Sequence, residues 1–155
     1  MNIKTKKNLI RLAMRAAQTA ADEGNYPFGA VIADLKGNVV AIAHNTQESD
    51  RDPTAHAEIN LIRKLAKDYK MEEFSKFYMI SNAESCSMCF SAAIKAGIVH
   101  YIFGAPSETH MEPFLTVADV TRFCRSSLDI SYSVLEEECK RQIAEIRANQ
   151  NKFAQ

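Results

Sequence analysis

Residues 52–58 read DPTAHAE and residues 84–89 read ESCSMC. The first stretch puts His56 and Glu58 two apart; the second puts Cys86 and Cys89 three apart. On a helix, residues three apart share a face, so the two thiols can point the same way. A helix N-terminus favours negative charge and lowers thiol pKa values. Two thiolates there make half of a zinc site, and His56 offers a third ligand. Three protein ligands of type His/Cys/Cys leave a fourth position open, the pattern of a catalytic site and not of a closed structural one. Zinc in such a site lowers the pKa of a water molecule from ~15.7 to about 7. Residues two apart on a helix face different ways, so Glu58 reads as a proton shuttle beside the metal and not as a fourth ligand. Each half alone has a duller reading. C-x-x-C also suits a redox pair or two small core residues, and a lone histidine is more often structural. Together, on two helix starts, they point to zinc and to catalysis.

The elements that must position these groups follow from spacing. Asp52 is expected as an N-cap with Pro53 at the first helical position. The helix behind it should bury Ile59, Ile62, Leu65 or Ala66, and Tyr69. A helix is expected over about 6–22, ended by Gly24, and a hairpin from runs 28–33 and 39–43 around DLKGN. A buried-type strand at 77–80, a helix at 85–96 closed by Gly97, and a strand at 98–103 follow; that order favours a parallel pair. Residues 130–134 alternate as an edge strand, and 134–152 form a charged helix with Leu135, Cys139, Ile143 and Ile146 on one side. The sum is one α/β domain over 1–155, a three-layer α/β/α sandwich with a mixed sheet of about five strands. Helix-start N–H groups at Ala57 and Cys86 are unpaired and can touch a ligand. Phe28, beside Gly29 on the first strand, can wall a flat ring.

Composition narrows the class. Apolar residues make up 46% and charged residues 25% of the 155, as in an ordinary globular domain. Lysine plus arginine (19) equals aspartate plus glutamate (19), which argues against a strongly basic nucleic-acid surface. No apolar run reaches membrane-spanning length, and the first residues lack the features of a secretion signal. Cys124 and Cys139 have no C-x-x-C partner, so a reduced, cytoplasmic protein with one thiolate site is the simpler reading. His44, His100 and His110 have no ligand spacing to the cysteines.

H-x-E followed by C-x-x-C is the zinc deaminase signature. Over nearly its whole length the chain resembles the cytidine-deaminase-like superfamily. Within it, DPTAHAEIN and PFGAVI are most similar to the bacterial guanine deaminases and the tRNA adenosine deaminases. The resemblance implies a five-stranded sheet between helices, one Zn2+ per subunit, a homodimer or larger assembly, and hydrolysis of a ring amine to a carbonyl with release of ammonia. It also implies that Asn45 hydrogen-bonds the ring, since an amide both donates and accepts. One residue departs from the pattern: Ser85 stands where these families usually have proline, and it can cap the following helix.

The substrate expectation is a small nucleobase-type molecule, with guanine ahead of cytosine and other rings. A tRNA adenosine deaminase is the first alternative. The tail LEEECKRQIAEIRANQNKFAQ balances its basic residues with glutamates, and Phe28 is bulky where the tRNA enzymes tend to be small; both features disfavour nucleic acid. A zinc-stabilised module without turnover is the second alternative. The guanine deaminases carry aspartates after the fourth strand; here Glu108, His110, Glu112 or Asp119 would have to serve. Phe153 is the aromatic candidate for closing a pocket.

Overall fold

The structure is a computed structural model and describes residues 1–107 and 115–153, with the backbone alone for 151–153. Glu108, His110 and Glu112 lie outside the described residues, as does the side chain of Phe153.

Helix α1 (Ile3–Asp22) starts at Asn2, whose side chain accepts the Thr5 N–H at 2.9 Å. Its buried face is Leu9, Ile10, Ala13, Ala16, Ala17 and Ala20. The alanines let a strand approach the helix backbone. Strand β1 (Gly29–Asp34) does so at its first residue: a Cβ on Gly29 would lie 2.2 Å from the Ala13 carbonyl oxygen and 2.5 Å from the Ala17 nitrogen. Only glycine fits there. The hairpin closes through Gly37, at φ +94°, into strand β2 (Val39–His44).

The segment after β2 differs from expectation. A four-residue helix α2 (Gln47–Asp50) precedes the motif and ends at Arg51 in the left-handed region. Asp52 caps no helix. Its Oδ1 accepts from the Thr54 N–H (2.8 Å) and hydroxyl (2.7 Å), and its carbonyl accepts from the Ala55 N–H at 3.0 Å. This is a β-turn with Pro53 at its second position, where a fixed φ suits a turn as well as it suits a helix start. Helix α3 (Ala57–Asp68) begins only after His56, which occupies the N-cap position. Its buried stripe is Ala57, Glu58, Leu61 and Leu65; Ile59 and Ile62 are half-buried and Ala66 is exposed.

A 3-10 turn (Met71–Lys76) leads to β3 (Phe77–Ala83). Then come α4 (Ser87–Ala96), β4 (His100–Ala105), α5 (Val117–Phe123), β5 (Asp129–Ser131) and α6 (Glu136–Phe153). The sheet order is β2-β1-β3-β4-β5. β1 is antiparallel to β2 and β3, while β3, β4 and β5 run parallel. Alternate residues feed two cores. Ala30, Ile32, Met79, Tyr101 and Phe103 pack with α3, α4 and Val117 of α5; Val31, Ala33, Ile80 and Ile102 pack with α1 and α6. This is the expected three-layer α/β sandwich with a five-stranded mixed sheet. No helix among the described residues is long and apolar enough to cross a membrane.

Candidate active site

In open α/β sheets ligands bind beyond the carboxyl ends of parallel strands. Here β3 and β4 deliver their C-termini to the same end of the sheet, and the N-termini of α3 and α4 meet there. His56 (φ −69°, ψ 155°) and Cys86 (φ −69°, ψ 164°) are the N-cap residues of the two helices in nearly the same backbone conformation. Neither side chain caps its own helix. Both turn to each other instead, with His56 Nδ1 and Cys86 Sγ 3.7 Å apart. Cys89, one turn into α4 and fully buried, completes the set: the three donor atoms lie within 4.8 Å of one another.

This donor set fits zinc. Bonds of about 2.0–2.3 Å in tetrahedral directions put ligand atoms roughly 3.5–3.8 Å apart, and the histidine–cysteine separation already matches. Two sulfurs and one imidazole nitrogen are a zinc-preferring combination. The thiols share a proton. Cys86 is pulled down to about 4, first by the hydrogen bond with Cys89 and then by His56. Cys89 is pushed well up by that same bond and by burial. The hydrogen bond from Cys89 and the contact with His56 favour the thiolate form at Cys86, and the proton that the pair retains leaves when metal binds. Zinc affinity is expected to rise with pH, by about tenfold per unit for one proton released. Chelator competition at a series of pH values around neutrality checks this; a flat profile would contradict it.

A cavity of about 310 Å³ opens beside the ligands. His56, Cys86 and Glu58 line it on the metal side. Phe28 and Gly29 of β1 and the end of β3, from Ser81 to Glu84, form further walls. Glu58 is the second residue of α3 and only 6% exposed. Burial, and then the Cys86 thiolate, hold its carboxyl above the usual carboxylate range. Its Oε1 accepts the Ser85 hydroxyl at 2.8 Å. Ser85 thus caps no helix; Cys86 sits at the N-cap of α4, and the serine faces the glutamate.

Phe28 lines the cavity, with the Arg147 guanidinium 5.7 Å from its ring centroid. Asn45 does not line it. It is fully buried; its amide oxygen accepts the Gln47 N–H at 3.0 Å and its amide nitrogen donates to the Gln47 side chain at 2.7 Å. Each end of the amide makes one hydrogen bond in the turn into α2. The Ala57 methyl group packs in the core under the sheet, so any ligand contact at this residue falls to its helix-start N–H. Asp119 caps α5 with Thr116 (Oδ2 to hydroxyl 2.7 Å) and is no part of the site. His100 pairs with Asp129 at 3.1 Å, and His44 with Glu23 at 2.8 Å.

Two asparagines do the framing work that the sequence did not reveal. Asn82, fully buried in the cavity wall, accepts the Gly29 N–H at 3.0 Å and donates to the Pro27 carbonyl at 3.1 Å. It ties the start of β1 to the end of β3. Asn60 donates to the His44 carbonyl, the Thr46 hydroxyl and the Ala55 carbonyl, pinning the loop that leads to His56. The end of β4 with the residues that follow it (Ala105, Pro106, Ser107) forms another wall, and α6 a further one, through Lys140, Ile143, Ala144 and Arg147. Their spacing is i, i+3, i+4, i+7, a single helix face legible in the sequence as a face though not as a wall.

Known proteins bear on this arrangement. The chain is 35% identical over 99 residues to a probable cytosine deaminase of Schizosaccharomyces pombe, covering 64% of this chain and 59% of that one. It is 30% identical over 129 residues to the tRNA-specific adenosine deaminase of Bacillus subtilis, covering 82% and 79%. It spans 16% of a further relative, the tRNA(Ile)-lysidine synthase of Deinococcus radiodurans. A solved structure from work on tRNA:A34 deaminases superposes with a TM-score of 0.75 at 26% identity, covering 87% of this chain and 98% of that one. The guanine deaminase of Nitrosomonas europaea shares the fold, with a TM-score of 0.79 at 18% identity over 92% of this chain and 84% of that one. Two ligand-bearing helix starts on one sheet end, and a His/Cys/Cys zinc site between them, thus have a family to belong to. Residues 3–105 match the cytidine and deoxycytidylate deaminase zinc-binding region, and the chain belongs to that family.

Proposed function

We propose that this zinc-dependent deaminase acts on a free, flat amino-heterocycle, with guanine and cytosine the first rings to test. The observation that carries this reading is the cavity itself. At about 310 Å³ it is at the small end of small-molecule sites, and Phe28, Ile143 and Ala144 give it apolar walls suited to one ring system. Helix α6 is anchored over it: Gln142 Nε2 donates to the Met14 carbonyl, Gln150 Nε2 donates to the Asn25 carbonyl, and Ile143 and Ile146 are buried. On this wall Lys140 is engaged by Glu136 and Glu137, which offsets its charge toward a phosphate backbone, and the Arg147 guanidinium lies over Phe28.

His56, Cys86 and Cys89 hold the metal. Bound zinc supplies a Lewis acid that makes water a competent nucleophile near neutral pH. Phe28 holds the ring by stacking. Glu58 takes the proton from the attacking water and returns protons to the ring nitrogen and then to the departing amine. The carbon–nitrogen bond breaks, ammonia leaves and the carbonyl remains.

A second reading, deamination of adenosine in tRNA, is favoured by relatives such as the Bacillus subtilis enzyme, similar over most of the chain. Ammonia release from guanine, cytosine, guanosine, cytidine, adenine, adenosine and tRNA separates the two, with the Glu58→Ala protein as blank. Turnover of a free base and none of tRNA is expected. Turnover of tRNA alone would replace the first reading with the second, and a silent, zinc-loaded protein would reject both.

A further inference from the structure

Ser85 is where this chain leaves the pattern of the families it resembles, and the structure shows what the serine touches. Its hydroxyl donates to Glu58 Oε1 at 2.8 Å, with Ser85 2% and Glu58 6% exposed. Proline at this position has no hydroxyl to give. A glutamate carboxylate turns in a broad, roughly two-fold terminal torsion unless something holds it. A hydrogen bond to an ionised oxygen in a buried place is among the strong ones, so it is well suited to that task.

The serine is itself held. The Glu84 N–H beside it donates to the Ala105 carbonyl at 2.7 Å, tying this segment to the end of β4. The Glu84 carboxylate accepts the Ser107 N–H at 3.4 Å. Cys86 follows directly in the chain. The backbone that places the metal-binding thiolate therefore also places the hydroxyl that grips the proton carrier. The Glu58 carboxylate also meets its own helix-start N–H and the Cys89 thiol, and Ser85 is its hydroxyl partner.

We propose that Ser85 is a positioning residue: its hydroxyl holds the Glu58 carboxylate in one orientation beside Cys86. Its effect on rate rests on the deaminase reading, whereas the grip itself can be measured without a substrate.

The test uses Ser85→Ala and Ser85→Thr in the zinc-loaded chain, and Ser85→Ala combined with Glu58→Ala. Ser85→Ala is expected to lower kcat about 10- to 100-fold, the usual cost of a slightly misplaced reacting group. KM should stay within about twofold, because ring binding does not use the hydroxyl. Zinc stoichiometry should not change. Ser85→Thr, which keeps the hydroxyl, should recover most of the rate. In thermal unfolding, the Ser85→Ala and Glu58→Ala shifts should fail to add by roughly 3–10 °C, as for a buried hydrogen bond to a charged group. A wild-type kcat in Ser85→Ala overturns the proposal. So does a threonine variant as slow as the alanine one, or a rate loss that tracks zinc loss. A wild-type protein silent on every substrate sinks the deaminase reading instead. The thermal cycle then decides alone: additive shifts overturn the grip, and non-additive shifts uphold it.

Discussion

Glu58→Ala is expected to keep its zinc and lose about 10²- to 10⁴-fold in kcat, the range for removal of a positioned general acid–base group. The carboxylate lies at the second position of α3, lines the cavity with His56 and Cys86, and is not one of the three donors that converge on the metal position. Removing it leaves that donor set whole. Metal analysis and ammonia release on the same sample check both halves, and an active, zinc-replete variant would refute the shuttle role. Glu58→Gln adds a thermodynamic signature. Burial holds the carboxyl above its ordinary range, so the folded chain binds this proton more tightly than the unfolded chain does. Stability from such a group is complete below the unfolded pKa and is lost as pH rises through the folded one. The neutral amide escapes that loss. Zinc-free Glu58→Gln should therefore be at least as stable as wild type at neutral pH, with an advantage that shrinks toward acid. A residue whose replacement removes activity and relieves the fold is placed for chemistry.

The chemistry was legible because it depends on residue types at fixed spacing. His56, Glu58, Cys86 and Cys89 sit on helix starts whose location matters more than their exact first residue. At Asp52 the structure departs from the expected helix start because Asp-Pro serves a β-turn and a helix start equally well, and only the Thr54 and Ala55 contacts tell them apart. On α3, Leu61–Leu65 and Ile59–Ile62 are overlapping stripes, and the choice between them is made by the sheet that the helix meets. Asn45, Asn60 and Asn82 are harder still. Each is an asparagine near the end of an element, and spacing carries no sign of which amide reaches the cavity, which ties two strands together and which closes a turn. The spacing in α6 predicts a charged helix with Leu135, Cys139, Ile143 and Ile146 on one side. Its contribution is a face, Lys140 to Arg147, and a face becomes a wall only through its packing on α1 and the sheet.

Cys86→Ala is expected to lose the metal and, with it, most of the stability that the metal supplies. Two remaining donors, His56 and Cys89, leave the site one protein ligand short of the three that hold a catalytic zinc. A metal present at 100 to 1,000 times its Kd stabilises the folded chain by about 2.7–4.1 kcal/mol. For a domain of this size that is roughly 5–16 °C in Tm. The substitution itself removes little else. Cys86 is half-buried, so alanine opens no large hole, and what it gives up is the sulfur's contacts with Cys89 and His56. This separates a ligand from a packing residue. Chelator should lower the wild-type Tm to within a few degrees of the variant's, and should leave the variant unmoved. A structural cysteine would behave the opposite way, with the variant less stable than wild type by the same margin with and without chelator. Zinc bound at wild-type stoichiometry in Cys86→Ala would refute the ligand assignment, and the convergence of the two helix starts would then need another cause.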